Sequence, residues 1–143
     1  MKYLLDTNIL ILSSVNPILI DQFVKAEQDQ LFLSVATVAE LKSISLQNGW
    51  GLRRLQLVES VLERSILIEI NENMIEIYTQ IDAFSQRRNP AFDDYAFSTP
   101  RNMGKNDLWI AATAALLNLT LATMDKDFDH LHQVFFDVLH PSV

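Results

Sequence analysis

Residues 2–8 read KYLLDTN, a short apolar run that ends in an aspartate, a threonine and an asparagine. The run predicts a buried β-strand over Lys2–Leu5, and Asp6 stands at its carboxyl end, where the chain turns. A second apolar run, Leu31–Val35, is followed by a helical pattern over residues 37–46. A strand followed by a helix is the repeating unit of an α/β fold.

The same alternation continues along the rest of the chain. The other predicted strands are Ile66–Ile70, Leu119–Thr123 and an edge strand Val134–Val138, and the other predicted helices are Ile18–Ala26, Leu52–Glu63, Asn71–Gln86 and one from Gly104 onward. Residues 87–103 carry no periodicity and predict one long loop, a candidate lid or partner surface. We therefore expect a single α/β domain over residues 1–143, with a parallel sheet of four to five strands flanked by helices.

Composition narrows the possible classes of protein. The chain has 143 residues, of which 49% are hydrophobic, and this predicts one globular core. It has no cysteine, so any metal must be held by oxygen or imidazole. No apolar stretch is long enough to span a bilayer, and Asp6 interrupts the only stretch that could resemble a signal peptide. We expect a cytoplasmic protein with no membrane partner.

Four carboxylates are predicted to meet at one edge of the sheet. Asp6 and Asp125 follow strands, while Glu40 and Asp107 are predicted in the first turns of helices that begin at the same edge, where parallel sheets bind their ligands. Two carboxylates 4 Å apart repel by about 4 kcal/mol at an effective dielectric constant of 20, so such a cluster needs a compensating cation. Mg²⁺ or Mn²⁺ would suit it and would support phosphodiester hydrolysis.

Each of these carboxylates also has a purely structural explanation. Asp6 could cap a helix, Thr37-Val-Ala-Glu40 matches a capping box, Asp107 could complement a helix dipole, and Asp125–Asp129 could be a solvated acidic turn. Four such coincidences at one sheet edge are improbable together. The conjunction favours a catalytic or metal-binding cluster.

The sequence around each carboxylate resembles one of the four acidic motifs of the PIN-domain family, in the same order and spacing. The matching segments are LLDTNIL at Asp6, TVAEL at Glu40, GKNDLWIAATA at Asp107 and LATMDKDF at Asp125. Within the family the resemblance is greatest to VapC-like toxins, the nuclease half of bacterial VapBC toxin–antitoxin pairs. It implies that the four carboxylates are catalytic Mg²⁺ or Mn²⁺ ligands.

The resemblance also assigns expected roles to neighbouring residues. Asp127 matches a further acidic, metal-binding position, and Thr7, Asn8 and Thr123 match polar positions that support the ligands. Asp129 has no firm counterpart. For the family, the implied activity is that of a metal-dependent endoribonuclease toxin, and the implied partners are RNA, a second copy of the chain in a homodimer, and a VapB-like antitoxin.

The net charge of −7 argues at face value against an RNA partner, because such proteins usually present a basic patch. A bound cation would neutralise the acidic cluster locally, and basic side chains beside the long loop could then contact phosphate or simply form a solvated surface. The candidates for RNA contact are Arg87, Arg88, Arg101 and Lys105.

Other readings of the sequence remain open. A catalytically idle PIN-like module that binds a partner or RNA is one alternative, and an RNA-processing nuclease without an antitoxin is another. A phosphatase of the haloacid-dehalogenase type would need an aspartate where Asn8 stands, and no glycine-rich phosphate loop is present. His130 and His132 are expected to be structural, and the expected core aromatics are Trp109, Phe128, Phe135 and Phe136.

Overall fold

One five-stranded parallel sheet organises the chain, and the computed structural model describes all 143 residues. The strands are β1 (Lys2–Leu5), β2 (Gln30–Ser34), β3 (Ser65–Ile68), β4 (Thr120–Ala122) and β5 (Val138–Leu139). They lie in the order β3-β2-β1-β4-β5, and all four neighbouring pairs are parallel. The predicted α/β fold with a parallel sheet is confirmed. β1 is the central strand, so Asp6 leaves the middle of the sheet.

Helices cover both faces of this sheet. They are α1 (Thr7–Ser13), α2 (Ile18–Asp21), α3 (Val35–Gln47), α4 (Leu52–Glu63), α5 (Ile75–Ser85) and α6 (Lys105–Leu117), with 3₁₀ turns at Glu72–Met74 and Lys126–Leu131. Leu4 belongs to a buried cluster with α5 and α6, whereas its neighbour Leu5 belongs to a second cluster with α1 to α4. Successive side chains of a strand point to opposite faces, which explains the two clusters.

Two predicted elements are wrong in extent. The helix predicted over Ile18–Ala26 ends at Asp21, because the Asp29 carboxylate accepts hydrogen bonds from the backbone N–H groups of Lys25 and Ala26 and folds this segment into a turn. The strand predicted over Val134–Val138 is also a turn for most of its length, since two of its N–H groups bond to the carbonyl of Leu131. Only Val138–Leu139 pairs with β4.

Smaller differences concern where elements begin and end. β3 covers Ser65–Ile68 rather than Ile66–Ile70, and the predicted helix over Asn71–Gln86 starts as a 3₁₀ turn in which Asn71 accepts a hydrogen bond from the N–H of Asn73. The helix α4 has the predicted bounds. No helix in the structure has both the length and the apolar character needed to cross a membrane.

The long loop before α6 has no regular secondary structure, as predicted, but it is packed against the body of the protein. The ring of Phe84 lies 4.6 Å from that of Phe92, 5.2 Å from that of Tyr95 and 5.5 Å from that of Phe97. Buried Asn89 donates from its side chain to the carbonyl of Gln80 at 3.0 Å. These contacts attach the loop to the body of the protein. They disfavour a lid that is only loosely attached.

Candidate active site

Asp6 stands at the carboxyl end of the central strand and begins α1. Its N–H donates to the carbonyl of Ala122 at 3.0 Å, which extends the β1–β4 pairing by one residue. Its Oδ1 accepts a 2.8 Å hydrogen bond from the N–H of Thr7, so Asp6 caps the helix. With only 5% of its surface exposed, the carboxylate is held in a single position. Capping and a catalytic role are compatible, because the capping hydrogen bond uses Oδ1 and not Oδ2.

Thr123 and Asn8 connect Asp6 to the end of β4. The hydroxyl of Thr123 donates to Asp6 Oδ2 at 2.7 Å and accepts from the N–H of Asp125 at 3.0 Å. The Asn8 side chain donates to Asp6 Oδ2 at 3.4 Å and accepts from the N–H of Met124 at 3.0 Å. The two strand ends are therefore joined by side-chain hydrogen bonds as well as by the sheet.

Glu40 reaches this site from α3, but its position in the helix and its hydrogen bond differ from the prediction. The helix begins at Val35, and Ser34 caps it by accepting a 3.2 Å hydrogen bond from the N–H of Ala36. The predicted capping box of Thr37 and Glu40 is therefore wrong, and Glu40 lies in the second turn rather than the first. Its Oε2 instead accepts a 3.2 Å hydrogen bond from the hydroxyl of Thr7.

Asp107 and Asp125 enter from the other half of the chain. Asp107 is the third residue of α6, in the first turn as predicted. Asp125 follows β4 and caps the second 3₁₀ turn, where its Oδ1 accepts from the N–H of Asp127 at 2.9 Å. Both carboxylates are partly buried.

All four carboxylates line one cavity of about 180 Å³. The complete lining is Asp6, Thr7, Asn8, Ile11, Glu40, Asp107 and Asp125. Asp127 lies outside it, in a second cavity of about 240 Å³ that shares Asp107 as a wall and also contains Arg101. The structure thus brings together the four predicted carboxylates and places Asp127 beside them rather than among them.

The electrostatics of the cluster are those of carboxylates without a counter-ion. Burial, with the repulsion of Asp6, Asp125 and Glu40, raises the pKa of Asp107 to about 6. Burial also raises the pKa of Asp6, although the hydrogen bond from Thr123 opposes this shift. The two ion pairs of the structure join the N-terminal amine to Asp29 and His140 to Asp129, so no cationic side chain compensates the cluster.

This donor set fits a hard divalent cation. Every charged group that lines the cavity is a carboxylate, and the neutral polar side chains are the hydroxyl of Thr7 and the amide of Asn8. Carboxylate and amide oxygens are typical ligands of Mg²⁺ and Mn²⁺. No group of three or more His, Asp or Glu side chains is arranged to hold a metal as they stand. The exposed side chain of Glu40 and the partly buried side chains of Asp107 and Asp125 would have to move to bind one.

The candidate RNA-contacting residues have different surroundings. The guanidinium of Arg87 lies 5.3 Å from the ring centre of Tyr95, and Arg88 is exposed beside it. Lys105 is exposed in the first turn of α6. Only Arg101 lines a cavity that reaches the carboxylates.

The histidines and aromatic residues mostly support the fold. The hydroxyl of buried Ser85 lies 2.8 Å from His130 Nε2, and burial lowers the pKa of His130 to about 4. His132 Nδ1 accepts from the N–H of Val138 at 2.8 Å. Phe128 and Phe136 are buried, Phe135 packs on Phe84, and Trp109 lies against Tyr78 with ring centres 4.4 Å apart.

Nothing in the sequence predicted that His140 lies near the site. This residue follows β5 and contacts the backbone of Thr123 and the side chain of Asp129, both next to the cluster. No sequence pattern marks it, because its partners are 17 and 11 residues away and its segment has no periodicity.

The chain belongs to the PIN domain family, whose characteristic sequence pattern matches residues 3–133. It is similar in structure to VapBC2 from Rickettsia felis bound to a fragment of its promoter DNA, with 19% identity, a TM-score of 0.74 and coverage of 99% of this chain and 100% of that one. It is also similar to VapBC-1 from nontypeable Haemophilus influenzae, with 28% identity, a TM-score of 0.71 and 97% of each chain covered.

A third similar structure is VapC20 from Mycobacterium tuberculosis, a sarcin-ricin loop cleaving toxin, with 10% identity, a TM-score of 0.59 and coverage of 89% of this chain and 92% of that one. No curated protein sequence matches the chain. The chain is therefore a VapC-like member of the PIN domain family, with the fold of toxin–antitoxin nucleases.

Proposed function

We propose that the protein is a Mg²⁺- or Mn²⁺-dependent endoribonuclease and the toxin of a toxin–antitoxin pair. The observation that carries the proposal is the convergence of Asp6, Glu40, Asp107 and Asp125 on one cavity with no cationic side chain to compensate them. Membership of the PIN domain family and similarity to VapBC proteins support the same conclusion. We also propose that the domain extends over residues 1–143, because β5 pairs with β4 beyond the matched region.

The four carboxylates would hold the cation, and Thr7, Asn8 and Thr123 would orient them. When bound, a divalent cation lowers the pKa of a coordinated water and stabilises charge on the scissile phosphate. The chain's own contribution is to orient two of the ligands: Thr123 and the N–H of Thr7 hold Asp6, and the hydroxyl of Thr7 contacts Glu40. Asp127 is a candidate for an additional ligand near Asp107.

A protein partner would have to neutralise the same cavity in order to inhibit the enzyme. An arginine suits this purpose, since a guanidinium binds a carboxylate through two parallel hydrogen bonds. We propose that a VapB-like antitoxin places such an arginine among the four carboxylates, and that the active form is a homodimer. A complex in which the antitoxin lies far from Asp6 and Asp107 and metal remains bound would contradict this inhibition mechanism.

Cleavage of total bacterial RNA by the purified, antitoxin-free protein is the direct test. We expect cleavage with Mg²⁺ or Mn²⁺ and none with EDTA. Asp6→Asn and Asp107→Asn should each lower the rate of RNA cleavage by more than the roughly 10- to 100-fold that is typical when a residue that only supports a ligand is replaced. The matched control is Asp93→Asn, which removes the same charge from an exposed position of the long loop.

The alternatives give different results in the same assay. A folded protein that binds RNA but does not cut it with either metal would be the idle module. A nuclease that cuts RNA without arresting growth on expression, and whose gene has no neighbouring antitoxin gene, would be an RNA-processing enzyme. Arg101→Gln should weaken RNA binding if this side chain contacts phosphate, whereas Arg88→Gln serves as the comparison from the exposed surface.

A further inference from the structure

His140 joins the C-terminal segment to the turn that carries Asp125. Its Nδ1 lies 2.6 Å from the carbonyl oxygen of Thr123, and its Nε2 lies 2.7 Å from Oδ1 of Asp129. These two partners stand at the two ends of a seven-residue segment, and Asp125 and Asp127 lie between them. One imidazole ring therefore spans the whole acidic turn.

The chemistry of the two partners fixes the state of the ring. A backbone carbonyl and an ionised carboxylate can only accept hydrogen bonds, so both ring nitrogens must donate, and only the imidazolium has two N–H groups. The pKa of His140 is raised, first by the hydrogen bond to Asp129 and then by that to Thr123, while partial burial and, more weakly, Lys126 oppose the shift. His140 is the single histidine of the chain in an ion pair.

The acidic turn matters because its first residue supports the active site. Thr123 donates to Asp6 Oδ2 and accepts from the N–H of Asp125, so a displacement of the Thr123 backbone would move both carboxylates. The 3₁₀ turn that contains Asp129 begins at Lys126 and is capped by Asp125. A link between Thr123 and Asp129 thus limits how far Asp125 can swing away from the cavity.

We propose that His140 is a positioning residue that closes the turn from Thr123 to Asp129 and holds Asp125 in place for metal binding. Its side chain does not line the cavity that contains the four carboxylates. The catalytic consequence rests on the proposed nuclease function, but the geometric link and its effect on metal affinity do not depend on RNA cleavage.

A purely structural role, in which His140 only secures the C-terminus, gives different expectations. The backbone already secures this segment, because β5 pairs with β4 and the N–H of Thr123 donates to the carbonyl of Leu139 at 3.0 Å. Loss of the ring should therefore leave the sheet intact. If the ring only secured the tail, its loss would change unfolding and leave metal affinity as it was.

The test measures Mn²⁺ affinity by titration calorimetry, with thermal unfolding alongside, for wild type, His140→Gln and the control His132→Gln. We expect His140→Gln to bind Mn²⁺ roughly tenfold more weakly, as is typical when a residue that orients a metal ligand is lost. Both variants lose hydrogen bonds, so each should unfold at a somewhat lower temperature, but only His140→Gln should lose Mn²⁺ affinity. Wild-type Mn²⁺ affinity in His140→Gln would overturn the proposal.

Two further measurements separate this proposal from the nuclease assignment. In the metal-free protein, the pH at which the His140 ring loses its proton, followed by nitrogen NMR, should lie above that of a free histidine, and Asp129→Asn should lower it. Asp129→Asn and His140→Gln should weaken Mn²⁺ binding less in combination than the sum of their separate effects, because they act through one link. Additive effects, or a wild-type ring that loses its proton at the same pH as a free histidine, would contradict the link even if RNA is cleaved normally.

Discussion

The hydroxyl of Thr123 donates a 2.7 Å hydrogen bond to Asp6 Oδ2, although the two residues are 117 positions apart. This bond closes the gap between the ends of β1 and β4, where the sheet pairing stops. It also favours the ionised form of a carboxylate whose pKa is otherwise raised by burial. The same hydroxyl accepts from the N–H of Asp125, so one small side chain orders two of the proposed ligands.

Thr123→Val tests this relationship directly. The substitution keeps the shape of the side chain but leaves Asp6 buried with one hydrogen bond fewer, so the pKa of Asp6 should rise further. We expect metal affinity to fall roughly 10- to 100-fold and the free energy of unfolding to fall by about 1–3 kcal/mol. Thr79→Val is the matched control, because its hydroxyl bonds only to the carbonyl of Ile75 on an exposed face. Equal metal affinities in both variants would refute the assigned role.

Metal binding should depend on pH through Asp107. Its pKa of about 6 in the folded, metal-free protein means that a proton competes with the cation below that pH. Mg²⁺ affinity should therefore be roughly tenfold weaker at pH 5 than at pH 7.5, as measured by the rise in unfolding temperature with added Mg²⁺. A flat profile across this range would show that Asp107 does not bind the metal.

The same group makes a prediction for the metal-free protein. Because the folded pKa lies above the ordinary value of 3.8, the folded state binds more protons, and stability falls as the pH rises from about 4 to 6. Asp107→Asn removes the charge, so the metal-free variant should be more stable than wild type at pH 7.5 while losing its response to Mg²⁺. The exposed Asp93→Asn should change neither quantity.

The hydroxyl of Thr37 is buried without a hydrogen-bond partner, and replacing it tests the stability of the fold rather than its activity. Its side chain is 1% exposed, and Oγ1 has no hydrogen-bond partner, so the group was desolvated without compensation. Thr37→Val should raise the free energy of unfolding by about 1 kcal/mol. Thr113→Val is the control, because Thr113 is equally buried and its hydroxyl donates to the carbonyl of Trp109 at 2.8 Å. Thr113→Val should lower the free energy of unfolding. If both variants are more stable than wild type, the missing hydrogen bond of Thr37 does not explain the gain.

The sheet could be predicted because its signal is local. The apolar runs before Asp6 and Asp125 and the breaks at the ends of strands give both the class of fold and the edge where the carboxylates meet. The same local patterns predicted the wrong end for α2 and the wrong position for β5. Those boundaries depend on the hydrogen bonds of Asp29 and of the Leu131 carbonyl, which no periodicity encodes.

The candidate site divides in the same way. Each of the four carboxylates lies in a local sequence motif, so all four could be predicted as site residues. The position of Glu40 in the second turn of α3 could not be predicted. Thr37 matched the pattern of a capping residue, but Ser34 caps the helix because β2 ends there and its hydroxyl accepts from the N–H of Ala36. His140 escaped prediction altogether because both of its partners are distant in sequence.

Acidification should destabilise the protein through His130. Burial lowers its pKa to about 4, and its Nε2 lies 2.8 Å from the hydroxyl of Ser85 within the aromatic packing of Phe84 and Phe97. Since the folded pKa lies below the ordinary value of 6.5, the unfolded chain binds the extra proton first, and stability falls as the pH drops from about 6.5 to 4. His130→Gln keeps a neutral polar side chain and cannot take up this proton. The difference in unfolding free energy between wild type and His130→Gln, measured by urea denaturation, should therefore shrink as the pH falls across this interval; a constant difference would show that His130 is not buried in its neutral form.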